Sequence, residues 1–225
     1  MTYKENITIP TYIINLKERT DRYEHTIREF QDKPEFDLHI VEAIKNTNGA
    51  LGLWESIRTI VKNVQEQDDD VIIIGEDDHT FTSDYNREIF FTNIVKASQL
   101  GTHILLGGVG MLENLVAVTK GLFWIDIFWS TQFMILFRPV FSKILNSKFE
   151  EGDVADEFIS KIVSNKMLIY PFISYQKDFG YSDVTVSNNQ VGRISSLFEH
   201  TQKIGYDYTR IMRKYDINFP VDDSK

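Results

Sequence analysis

No cysteine occurs among the 225 residues. Disulfides, thiolate metal sites and cysteine nucleophiles are excluded together, and the chain suits a reducing compartment. Long apolar runs are missing too. The richest stretch, Gly121 to Phe137, is interrupted by Asp126, Ser130, Thr131 and Gln132 and falls short of the roughly 18 residues a membrane span needs. The opening residues, with Lys4, Glu5 and Asn6, lack the apolar core of a signal peptide. A cytoplasmic location is the expectation. Positive charge is in deficit, with 24 basic against 33 acidic side chains and a net charge of -9. That argues against a nucleic-acid partner read through a basic face. An acidic chain still binds phosphates when a divalent cation mediates the contact.

Apolar residues make up 42% of the chain, enough to bury a core, and the length suits one α/β domain better than two. Thr2 to Thr8 and Asp222 to Lys225 read as polar fringes. Thr11 to Leu16 reads as a strand and Lys17 to Gln31 as an amphipathic helix that Thr20 can cap. Phe36 to Val41 reads as a strand and Gly49 to Gln67 as a helix. The run Val71-Ile72-Ile73-Ile74-Gly75 shows no polar alternation, as a strand covered on both faces requires. Further strands are expected at His103 to Leu106, Gln132 to Phe137 and Met167 to Ile173. Helices are expected from Pro139 to Asn146, Val154 to Val163, and Ile194 to Tyr215 with a break at Gly205. Strand-helix alternation at the start predicts an α/β fold with a mostly parallel sheet flanked by helices. It is read as a single domain over residues 1–183, with a helical extension over 184–225 packed on it.

In such sheets ligands bind at the carboxyl ends of the strands, and Glu76-Asp77-Asp78 follows the apolar strand there. Three consecutive carboxylates repel one another unless a cation or hydrogen-bond donors share the charge. Strand alternation would project Glu76 and Asp78 together and Asp77 away. A hard ion, Mn²⁺ or Mg²⁺, takes one or two carboxylates plus substrate phosphates. Asp78 is then the metal ligand, with Glu76 and Asp77 accepting hydrogen bonds from donor hydroxyls. A solvated acidic turn is the plain alternative.

Several segments in order resemble glycosyltransferase family 25, the lipooligosaccharide and collagen galactosyltransferase group. They are IINLKERTDRYEH (Ile13 to His25), NGALGLWESI (Asn48 to Ile57), VIIIGEDDHTF (Val71 to Phe81), HILLGG (His103 to Gly108), GDVADEF (Gly152 to Phe158) and YPFISYQKDFGYSDV (Tyr170 to Val184). The resemblance departs where the family's Ser-His pair is Ser56-Ile57 here. It implies a GT-A-like (Rossmann-like) fold and a nucleotide-diphosphate sugar donor, with UDP-hexose the first choice. It also implies inverting, metal-dependent transfer to a glycan or lipid-linked glycan hydroxyl, in cell-surface polysaccharide or lipooligosaccharide synthesis.

Inversion needs a general base, for which Asp153 and Asp156 are the candidates, Asp153 first. Their spacing would set them on one face near a helix start. Asn15, Leu16, Arg19 and Arg22 follow the first strand, where a base or phosphate could lie. Gly49 and Gly52 would admit a phosphate to a helix N-terminus, with Ser56 beside them. His79 reads as a surface histidine before a metal ligand. Gln176, Ser182 and Asp183 enter by resemblance alone. Trp54 reads as core, and Trp124 and Trp129 as residues that could border an acceptor groove. Arg210, Arg213 and Lys214 cluster on the last helix, which leaves room for peripheral contact with an anionic membrane face. The competing readings are a metal-dependent nucleotidyltransferase or phosphohydrolase, and a binding relative without turnover.

Overall fold

The computed structural model describes residues 7–180 and 192–220. The chain opens with β1 (Ile9–Asn15), α1 (Thr20–Phe30), β2 (Phe36–Glu42), α2 (Gly49–Val64) and β3 (Val71–Glu76). Next come β4 (His79–Phe81), α3 (Arg87–Gln99), β5 (Ile104–Leu106), β6 (Met111–Leu112), β7 (Leu115–Thr119), β8 (Leu122–Ile125), β9 (Phe128–Trp129) and β10 (Phe133–Phe137). A short 3₁₀ turn leads into α4 (Phe141–Asn146), followed by α5 (Ala155–Ile162), β11 (Lys166–Ile169), β12 (Ser174–Gln176) and α6 (Arg193–Lys214).

Eight strands form one sheet in the order β2-β1-β3-β10-β5-β11-β8-β7. β1, β2, β3, β5, β7 and β11 run one way, and β8 and β10 run against them. The sheet is therefore mostly parallel in direction, with an antiparallel strand at its centre. Alternation along β3 explains its unbroken apolar run. Ile72 and Ile74 enter the core beneath α2, with Trp54, Ile57 and Val61, while Ile73 enters the opposite core with Phe30 of α1 and Phe90 and Ile94 of α3. Both faces are covered, so neither side chain set can be polar.

Some local expectations give way. Thr20 is the first helical residue, not the cap. Arg19 holds the cap position and no side chain bonds the helix end there, because a guanidinium carries donors only and cannot accept from a helix N–H. α2 is capped as the rules require, Asn48 accepting from the Ala50 and Leu51 N–H groups. α6 runs through Gly205 without a break. A Cβ there would lie 2.5 Å from the Tyr170 ring, so the glycine serves close packing. α3 escaped sequence reading because Ile89 and Val95 stand exposed off its buried face while polar Asn93 is buried on it, which blurs the apolar stripe. The extension over 184–225 contributes α6, whose Ile194 and Phe198 join the core beneath α2 and whose Met212 packs with Phe123. Among the described residues no helix is long and apolar enough to cross a membrane.

Gly205→Ala sets two effects against each other. Helix propensity favours alanine by about 1 kcal/mol, but the Tyr170 ring is packed edge-on against Phe123 and Phe172 and cannot yield freely. Overpacking wins, and urea unfolding is expected to show a net loss of about 1–3 kcal/mol.

Candidate functional site

β1 and β3 end side by side, Ile14 pairing with Glu76, and the acidic triplet turns out of the sheet at that edge. β3 stops at Glu76, and Asp77 and Asp78 form the turn into β4. The expected pairing of Glu76 with Asp78 is thereby corrected, since strand alternation no longer applies beyond Glu76. Asp77 and Asp78 converge instead on the buried guanidinium of Arg22. Its Nη1 lies 3.0 Å from Asp77 Oδ1 and 2.9 Å from Asp78 Oδ2. Arg22 is 4% exposed, and its outer face packs against the Phe179 ring at 4.7 Å. Asn15 Nδ2 donates to Asp77 Oδ2 at 2.9 Å, and Arg19 Nη1 stands 3.9 Å from Asp77 Oδ1. Gln176 Nε2 donates to Asp78 Oδ2 at 3.1 Å. Glu76 turns the other way and accepts from Thr131 Oγ1 at 2.8 Å.

This clamp does not neutralise the cluster. Burial, then Asp78, pushes the Glu76 carboxyl up to about 8. Burial and Asp77 push Asp78 up to about 6 against the pull of Arg22 and Gln176. Asp78 Oδ1 is buried and has no hydrogen-bond partner. An orphaned carboxylate oxygen beside an undercompensated acid is what a hard divalent cation relieves. Among the described residues no three acids or histidines gather as a closed metal cage.

A cleft of about 670 Å³ opens beside the cluster, lined by Leu16, Arg19, Asp21, Lys45, Asn46, Gly49, Glu76 and Asp77 among others. Of the residues singled out in the sequence, Leu16, Arg19, Gly49, Glu76 and Asp77 meet here. Asn15, Arg22 and Asp78 are not among the lining residues; they bond Asp77 or each other. Lys45 and Glu18, both on the cleft, are ion-paired. Gly52 and Ser56 have other tasks. A Cβ on Gly52 would fall 2.6 Å from the Ile44 carbonyl, so that glycine admits the 43–47 loop and not a ligand. Ser56 Oγ donates to the Gly52 carbonyl at 2.7 Å and accepts from the Ile44 N–H at 2.8 Å, clasping the same loop to α2. Asn48 already occupies two of the N–H groups at that helix start.

The far wall of the cluster is the run Trp129 to Gln132, where Trp129 was expected to border an acceptor groove and Ser130, Thr131 and Gln132 interrupt an apolar stretch. Trp129 Nε1 donates to Glu157 Oε1 at 3.2 Å. The Ser130 N–H donates to Asp156 Oδ2 at 2.8 Å, and its hydroxyl to Gln176 Oε1 at 3.2 Å. Ser130 holds φ 93°, a left-handed conformation costly for a non-glycine residue and concentrated at functional sites. The Gln132 side chain is buried, donating from Nε2 to Ser174 Oγ at 2.8 Å and accepting from His79 Nδ1 at 2.8 Å.

His79 is thus corrected from a surface residue to a buried one, 2% exposed. It is stacked on Phe133 at 4.4 Å and held neutral by burial, down to about 3. Asp153 and Asp156 do not share a helix face, because α5 begins at Ala155. Asp153 closes a turn by accepting from the Glu150 N–H at 2.8 Å. Asp156 faces the cluster, raised by burial, and its charge is felt at Glu76. Trp54 is core, stacked on Phe149, and Trp124 donates to the Ser164 carbonyl. Ser182 and Asp183 lie outside the described residues.

No protein-family model matches the chain, and no curated protein is similar to it in sequence. Among solved structures, A197 from STIV superposes with a TM-score of 0.52 at 12% identity, over 79% of this chain and 87% of its own. That likeness shows the mixed α/β fold. Apo UDP-glucose pyrophosphorylase matches at TM-score 0.44 and 12% identity, over 87% and 82%. HddC from Yersinia pseudotuberculosis matches at 0.36 and 11%, over 72% and 90%. These two are too distant to bear on the site, and none of the three supports family 25 specifically.

Removing the cation that bridges two buried acids is costly because the acids stay behind. Arg22→Met is expected to lose about 3–5 kcal/mol of unfolding free energy near pH 8. The sign with pH follows from Asp78. Its folded value is raised above the unfolded one, so its stability is full at low pH and declines as pH rises through about 6. Without Arg22 the carboxyl rises further, and the deficit should shrink toward pH 5. Denaturant titrations at the two pH values test this; an equal deficit at both contradicts it.

Proposed function

We propose that the chain is a GT-A-type glycosyltransferase moving a sugar from a nucleotide-diphosphate donor, UDP-hexose first, to a glycan hydroxyl with inversion. The observation that carries this reading is the cleft at the carboxyl ends of β1 and β3, with a buried Arg22-held acid pair behind it. Its support is the place of the site on the sheet together with the ordered family 25 resemblance. The route would belong to cell-surface polysaccharide or lipooligosaccharide synthesis.

In this account the nucleotide lies against Leu16, Arg19 and the 43–47 loop, where Arg19 and Lys45 supply positive charge to the phosphates. Asp78, with Glu76 beside it, would hold Mn²⁺ or Mg²⁺. When bound, the ion acts as a Lewis acid on the departing diphosphate. Thr131 holds the Glu76 carboxyl from the far wall. Asp156, raised by burial and oriented by two backbone N–H groups from Ser130 and Glu157, takes the acceptor proton. This assignment prefers Asp156 over Asp153, whose carboxylate is committed to its own turn.

Nucleotide release from UDP-sugars with Mn²⁺, measured with and without glycan acceptors, tests the reading. Release that depends on the acceptor and yields the inverted linkage supports it. Asp156→Asn should lower turnover by about 10²–10⁴-fold, with Asp153→Asn within about twofold. Release of sugar 1-phosphate with the nucleoside monophosphate group passed to pyrophosphate would favour a nucleotidyltransferase instead, and hydrolysis to free nucleoside monophosphate a phosphohydrolase.

A further inference from the structure

The outward face of α6 near its C-terminal end gathers exposed apolar and basic side chains. Tyr206, Ile211, Tyr215 and Ile217 are 58%, 48%, 64% and 52% exposed. Lys203, Arg210, Arg213 and Lys214 are exposed among them. At about 100° per residue, Lys203, Arg210 and Lys214 fall on one line along the helix. Tyr206 and Ile211 flank that line on either side. Thr201, Gly205 and Met212 face the opposite way and are buried.

The helix is firmly mounted. Thr201 Oγ1 donates to the Gly110 carbonyl at 2.9 Å, Gly205 abuts Tyr170, and Met212 packs with Phe123. The acids on the outward side are Glu199, one turn before Lys203, and Asp207 and Asp216 nearer the C-terminal end. Asp207 pairs with Lys203 at 3.2 Å and Arg210 at 3.4 Å, leaving Arg213 and Lys214 in excess at the end. The Lys214 ammonium also lies 5.5 Å from the Tyr215 ring centre.

We infer that this face docks the protein reversibly on a membrane surface rich in anionic lipid headgroups. Ile211, Tyr215 and Ile217 enter the interfacial layer while Arg210, Arg213 and Lys214 meet the phosphates. Aliphatic and tyrosine side chains ringed by long cationic ones match that layer, where aromatic rings and snorkelling cations are both favoured. The net charge of -9 repels the rest of the molecule from such a surface, so docking has one preferred orientation. A second copy is a poorer occupant. A two-fold contact through this face would set the cations against their own copies. The inference is independent of the proposed reaction.

Flotation of the full chain with vesicles tests it, using phosphatidylcholine alone and phosphatidylcholine mixed with phosphatidylglycerol. Binding to the mixed vesicles should exceed binding to the neutral ones by at least about tenfold at low salt and weaken at high salt. Ile211→Glu, and separately Arg213→Glu with Lys214→Glu, should each lower it by about tenfold or more. All three positions are exposed, and the thermal melt should be unchanged. Lys62→Glu, an exposed cation on α2, should bind as the wild type does. The inference is overturned by equal or absent binding to the two vesicle types, or by an equal loss in Lys62→Glu. A wild-type dimer that Ile211→Glu converts to a monomer overturns it as well.

Discussion

The site depends on one buried interaction, the Arg22 guanidinium held between Asp77 and Asp78. Two adjacent carboxylates leaving a covered strand repel each other and lose their hydration. A cation delivered from α1 makes the turn between β3 and β4 tenable there. Because Arg22 belongs to the first helix and the acids to the turn that leaves β3, the contact also fixes how those elements sit. Asn15 joins from β1 and Gln176 from β12, so four separate segments of chain converge on one charge cluster. The phenyl ring of Phe179 covers it, which keeps the interaction dry and strong.

Compensation at this cluster is incomplete and uneven. Asp77 is bonded on both oxygens, by Asn15 and Arg22, whereas Asp78 keeps one buried oxygen without a partner. Glu76 receives a hydroxyl and no cation, and it sits well above the usual carboxylate range. Of the two, Glu76 is the one held by the wall that Ser130 and Thr131 form. The strained Ser130 backbone links that wall to Asp156. An arrangement built only for stability would have placed apolar residues here.

The framework was legible because its signals are local. The covered strand at Val71 to Gly75, the amphipathic α1 and α2 and the strand-helix order each follow from periodicity. They predict the first half of the sheet and its carboxyl edge, where the triplet stands. What escaped was non-local. The antiparallel insertion of β10 between β3 and β5 leaves no mark in its own residues. α3 hid because Ile89 and Val95 stand exposed off its buried face and Asn93 is buried on it. Within the site, Arg22 was expected to face a base or phosphate, and its burial against two acids depends on partners 55 and 56 residues away. Ser130, Thr131 and Gln132 were visible as polar residues in an aromatic stretch, but nothing local assigns Thr131 to Glu76. Ser56 and Gly52 show the reverse error: small residues beside a helix start suggested a ligand, and the structure gives them a loop to hold.

The central claim is that Glu76-Asp77-Asp78 forms a cation-dependent donor site. Isothermal calorimetry of the intact chain with a panel of nucleotide sugars, in Mn²⁺ and in EDTA, addresses it most directly, with Asp78→Ala as the comparison. The account predicts that one class of nucleotide sugar binds in Mn²⁺, is lost in EDTA, and is lost in the variant even though the variant remains folded. Binding that persists in EDTA, or equally in Asp78→Ala, would contradict it, as would no binding by any nucleotide sugar under either condition.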